Sequence, residues 1–125
     1  MFNHTIIDSY TDDAGAVFST SNKFTGQTEA AYDGTIAGTT TDQLIDLAFP
    51  TTGLQCVCLW SDTNLTVKTN SNTSPAQTIN LLANVPVEWG TGMGGTNPIT
   101  AAVTSLYVTN GTANPARFKL RALST

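Results

Sequence analysis

The sequence predicts an all-β fold, an antiparallel sandwich or barrel of about eight to ten short strands. Three observations predict it. Apolar residues alternate with polar ones in short runs, which is the two-residue period of a half-buried strand. Turn-forming residues interrupt these runs at Pro50, Gly53, Ser61-Asp62, Ser74-Pro75, Asn84, Asn110-Gly111 and Asn114-Pro115. No segment keeps a helical apolar stripe with caps through three turns.

Taken along the chain, Thr5 to Ile7 and Val17-Phe18 are weak strand candidates, and residues 1–15 read as an irregular N-terminal arm. Ala30 to Ile36 and Gln43 to Phe49 are stronger, with Asp33-Gly34 as a further break. Leu54 to Trp60 is apolar on both faces apart from Gln55, the pattern of a central strand covered on both sides. Clean alternation then marks Leu65/Val67, Ile79/Leu81, Val85/Val87/Trp89, Leu106/Val108 and Phe118/Leu120. The expected inward set is Val57, Leu59, Leu65, Val67, Ile79, Leu81, Val87, Leu106, Val108, Phe118 and Leu120. Asn110-Gly111 is a candidate reversal joining Leu106 to Thr109 with Ala116 to Leu123 as two arms of a hairpin. At 125 residues the chain should hold one core, hence a single domain over residues 1–125.

Charged residues make up only 11% of the chain, well under the roughly 25% of ordinary soluble domains. Thr (23), Asn (10) and Ser (8) replace them and keep a surface wet without charge. Another protein can cover such a surface at little desolvation cost. The net charge of −4 is unevenly placed: the first 62 residues hold eight carboxylates against Lys23, whereas the remainder holds Lys68, Arg117, Lys119 and Arg121 against Glu88 alone. Five cations are too few for a nucleic-acid footprint, so no nucleic acid is expected as a partner. No apolar run reaches the roughly 18 residues of a membrane span, and no secretory signal precedes the first strand. The expectation is therefore no membrane association and synthesis in a reducing cytoplasm, where the four N-x-S/T triplets at Asn3, Asn64, Asn72 and Asn110 carry no glycan.

Candidate sites are few. Cys56 and Cys58 lie two apart in a strand, on one side of it and too far apart for a normal disulfide, and read as buried free thiols with no metal. His4 reads as an exposed residue of a frayed terminus, and Asp12-Asp13 as a solvated turn, so no catalytic set and no cofactor is expected. The Gly90 to Pro98 loop lacks the Lys and the following helix of a phosphate-binding loop, which leaves Gly92, Met93, Gly94 and Gly95 as a segment that orders against a partner. In the final strand, inward Phe118 and Leu120 put Arg117, Lys119 and Arg121 on the opposite face, a cationic stripe and the main candidate partner-binding site. Trp60, Trp89, Tyr10, Tyr32 and Tyr107 are the aromatics a sugar-binding surface would use, with Trp60 and Trp89 expected to pack in the core.

From Ser61 onward the order of elements resembles the capsid decoration, or cement, proteins of tailed bacteriophages. The likeness runs through Leu65 to Asn70, Pro75 with Thr78 to Leu81, Val85 to Trp89, Asn97 to Ile99, Thr104 to Asn110 and Phe118 to Leu123, about half of the chain. It implies a jelly-roll-like sandwich, a homodimer or homotrimer bound to the major capsid protein of a phage shell on the virion exterior. A carbohydrate-binding module is the alternative. Periodicity alone does not separate a jelly roll from an immunoglobulin-like strand order.

Overall fold

The alternating segments become ten strands and no helix in the computed structural model, which describes residues 1–125. β1 (Phe2–Asp12) and β2 (Gly15–Gly26) form a separate two-stranded ribbon. The body follows as β3 (Thr28–Ile36), β4 (Thr40–Ile45), β5 (Leu54–Ser61), β6 (Leu65–Thr69), β7 (Thr78–Leu81), β8 (Val87–Gly90), β9 (Leu106–Asn110) and β10 (Ala116–Ser124). One sheet has the order β3-β10-β5-β8 and the other β4-β9-β6-β7, with every pairing antiparallel.

The pairings are nested. β3 pairs with β10, β4 with β9, β5 with β8 and β6 with β7. The eight strands are thus one long antiparallel ribbon folded over on itself, which is the jelly roll. This decides between the two strand orders that periodicity left open.

Between the sheets, Ile36, Val57, Leu59, Leu65, Val67, Leu106, Val108, Phe118 and Leu120 form one continuous core. All of the expected inward set is buried except Val87, which lies near the end of short edge strand β8 and is half-buried against the core. Val85 precedes that strand and is exposed. Phe118 is fully buried, and its ring lies 5.6 Å from that of Tyr32. Gly34, read from sequence as part of a break, lies inside β3, at a point where a Cβ would collide with the Tyr32 ring.

Four further expectations change. Residues 1–15 are not irregular: β1 pairs with β2 from Phe2↔Gly26 to Asp12↔Gly15, with one bulge beside Tyr10. Backbone hydrogen bonding, not apolar burial, holds most of this ribbon, so its side chains show little pattern. The fourth strand stops at Ile45, and beyond it only Phe49 makes a bridge, to Val103. β9 and β10 are not a hairpin, since they lie in different sheets. The Asn110 side chain organises that crossing. Its Nδ2 donates to the carbonyls of Ile36 (3.2 Å) and Asn114 (2.8 Å), and its Oδ1 accepts from Thr112 N (3.0 Å) and Oγ1 (2.8 Å). Lastly, Trp60 does not pack in the core; it alternates with inward Leu59 and Ser61 and stands half-buried on the outer face of its sheet.

Because Phe118 joins both neighbours of β10 to the facing sheet, Phe118→Ala should lower unfolding stability by about 3–5 kcal/mol. Urea denaturation should show a shifted midpoint with an unchanged slope.

Candidate functional site

The outer face of the β3-β10-β5-β8 sheet gathers most of the chemistry. Cross-strand register puts Asp33, Lys119 and Trp60 in one row, Ala31, Arg121, Cys58 and Glu88 in the next, and Glu29, Leu123, Cys56 and Gly90 in the third. Arg117 lies one row beyond, opposite Thr35. The cationic stripe anticipated on β10 is therefore present on one face, as the two-residue period requires.

Each cation of the stripe has a local partner. Arg117 Nε is 3.6 Å from Asp33 Oδ1, both side chains being well exposed. Lys119 Nζ sits 5.7 Å from the centroid of Trp60, within range of a cation–π contact. Arg121 Nη1 donates to the carbonyls of Tyr32 (2.9 Å) and Leu120 (2.8 Å). A cleft of about 230 Å³ opens among Trp60, Lys119, Arg121 and Cys58. A second, of about 350 Å³, lies under the ribbon between His4, Ile6, Cys56 and Glu88 and shares Cys58 and Arg121 with the first. The first opens on the uncovered half of the sheet and the second at the margin of the ribbon, and the two adjoin at these shared residues.

The other half is covered by the base of the ribbon. Ile6 and Phe24 are buried with Cys56 and Leu123 in a small second core, against which Met93 packs. The far end of the Phe24 ring abuts Gly90, where any Cβ would overlap it. Met93 of the glycine loop thus has a partner within the chain. Gly92, Gly94 and Gly95 have left-handed backbone and open space around them.

His4 is not frayed. Its Nε2 donates to Glu29 Oε2 at 2.9 Å, and its Nδ1 lies 3.6 Å from Cys56 Sγ, so one tautomer satisfies both contacts with the thiol as donor. This order of thiol, imidazole and carboxylate is that of an activated nucleophile. Here the thiol is not activated. Burial, reinforced by Cys58, pushes Cys56 up to about 11, so at neutral pH it donates to His4 and ties the ribbon to the sheet. Burial and then Glu88 also raise Cys58, against the opposing pull of Arg121. No cluster of three or more His, Cys, Asp or Glu side chains is arranged to hold a metal ion.

Sequence reasoning missed His4, Glu29 and Asp8 as neighbours of this face. Asp8 of the ribbon stands beside Glu88, whose pKa is raised by burial first and then by the Asp8 charge and hydrogen bond. The only local hint was the two-residue spacing of His4, Ile6 and Asp8, which fixes a shared face but not what it meets.

Two outcomes follow. Gly90→Ala should lift Phe24 and loosen the base of the ribbon at a cost of about 1–3 kcal/mol. Alkylation of Cys56, slow in the folded chain, should then accelerate on the order of tenfold or more while the far-ultraviolet spectrum is kept. For Glu88 the folded pKa lies above the unfolded value, so the native state holds the extra proton. Stability contributed there is present at acid pH and is lost as pH rises through the raised value. Glu88→Gln should accordingly leave Tm unchanged in acid and raise it relative to the parent as pH approaches neutrality.

No protein-family model matches the chain, and no curated protein matches it in sequence. Among solved structures, the cupin domain of Schizosaccharomyces pombe Cnp3 is similar to it at 8% identity and a TM-score of 0.44, over 98% of this chain and 84% of that one.

Proposed function

We propose that the chain is a non-enzymatic virion structural protein that binds the outside of a tailed-phage capsid. In this reading it assembles as a homodimer or homotrimer on the major capsid protein and decorates or stabilises the shell. The observation that supports it most directly is the open groove beside Arg117, Lys119, Trp60 and Arg121, next to a ribbon that projects from the same sheet. Both features are shaped for protein contact. The opposite sheet presents Thr66, Lys68, Thr78, Asn80, Tyr107 and Thr109 outward, a nearly neutral polar plane that a partner can cover at little desolvation cost. In the same reading the chain is made in the host cytoplasm and sits on the capsid exterior.

A second reading, a carbohydrate-binding module, is favoured by one observation: Trp60 faces outward at a cleft bordered by polar side chains, as a sugar platform does. Density-gradient sedimentation separates the two. Tagged chain expressed in cells producing the phage heads of its own source should travel with the capsid band at a fixed ratio to shell subunits. A chain left at the top of the gradient but retained on immobilised glycans would establish the sugar reading instead.

Within the capsid reading, Arg117→Glu, Lys119→Glu and Arg121→Glu together should preserve the fold and reduce attachment. Exposed ion pairs contribute about 0–1 kcal/mol each, so the loss should reach at most roughly 100-fold in affinity and should shrink as salt is added.

A further inference from the structure

From the geometry we infer that the groove at Trp60 receives the tip of the β1-β2 ribbon from a second copy of this chain. The inference goes beyond the capsid reading and does not depend on it.

The ribbon is the starting point. Every residue from Ser9 through Ser21 is exposed, and Asp8, beside Glu88 on edge strand β8, marks where contact with the sheet ends. At 3.3–3.4 Å per residue the strands run about 13 Å past Asp8 into solvent before the turn. An isolated two-stranded ribbon is marginally stable in water. The tip nevertheless carries an apolar cluster: Tyr10 and Phe18 stack with centroids 6.0 Å apart, and Val17 bulges beside them. Their exposures are 55%, 51% and 57%. A solvated tip has no use for three such side chains, and a contact that buries them would stabilise both the cluster and the ribbon.

Charge and shape identify the occupant of the groove. The tip holds Asp12 and Asp13 with no cation between Ser9 and Asn22, whereas Lys119 and Arg121 line the groove and Arg117 lies one row beyond it beside Asp33, three of the five cations in the chain. The floor offers Trp60 and the half-buried Cys58. An acidic, aromatic tip therefore meets a cationic, aromatic groove on the same molecule type. Asp8, hydrogen-bonded to Glu88, is the last ribbon residue tied to its own sheet, and the exposed tip beyond it is left for exchange between copies.

The test is a charge swap within the full-length chain, read by sedimentation equilibrium at low salt. Asp12→Asn with Asp13→Lys keeps the acceptor oxygen that Ala14 N uses in the turn and reverses the tip. Arg117→Glu with Lys119→Glu reverses the groove. Each pair alone should weaken self-association roughly tenfold, and all four changes in one chain should restore it. A photo-crosslinker replacing Phe18, in a mixture of isotopically heavy and light copies, should join heavy to light at Cys58–Trp60 or Lys119–Arg121. A monomeric parent, half-swaps that associate like the parent, or a fourfold variant that stays dissociated would each overturn the inference. Crosslinks to another ribbon tip, or only to capsid protein when heads are added, would do the same while leaving the capsid reading intact.

Discussion

The last strand of the body holds the rest together. β10 lies between β3 and β5 along nearly its whole length, so the chain's final segment joins the strand that opens the jelly roll to the one that crosses its centre. Its inward residues, Ala116, Phe118, Leu120 and Ala122, fill the core, while its outward residues carry the cationic stripe. Core and candidate contact surface are two faces of one strand. Because such pairings join residues far apart in sequence, loop closure must precede most of the stabilising contacts, and slow folding in the millisecond-to-second range is the expectation for this topology.

The same strand sets where the ribbon can sit. Leu123 breaks the outward polar row of β10 and, with Cys56 and Gly90, makes an apolar landing for Ile6 and Phe24. Gly90 is required by the close approach of the Phe24 ring. The polar ties around this landing, from His4 to Glu29 and Cys56, orient the base of the ribbon without extending to its tip. The outcome is a firm base, a hydrogen-bonded Asp8–Glu88 pair at the edge, and a tip whose apolar residues pack only on one another.

The thiol chemistry illustrates how position overrules arrangement. Cys56, His4 and Glu29 follow the order used for nucleophilic catalysis, yet the thiol lies under the ribbon where a thiolate would be poorly solvated. Burial converts the set into a hydrogen-bonded clasp. Geometry by itself would have assigned it the opposite role.

Local periodicity was enough to establish the all-β class, the absence of helix, and most of the inward residues. Leu65/Val67, Ile79/Leu81, Leu106/Val108 and Phe118/Leu120 behave as a two-residue period demands, and the stripe of Arg117, Lys119 and Arg121 follows from the same rule. What periodicity lacks is any record of partners. It placed β9 and β10 in one hairpin because they are adjacent in sequence, put Trp60 in the core because its run is apolar, and caught only Thr5 to Ile7 and Val17-Phe18 of the ribbon because Thr, Ser and Asp pair through their backbones. Which sheet each strand joins, which outer face the ribbon covers, and which half of that face stays open were decided by tertiary structure alone, since they depend on non-local pairing and on the burial that pairing creates.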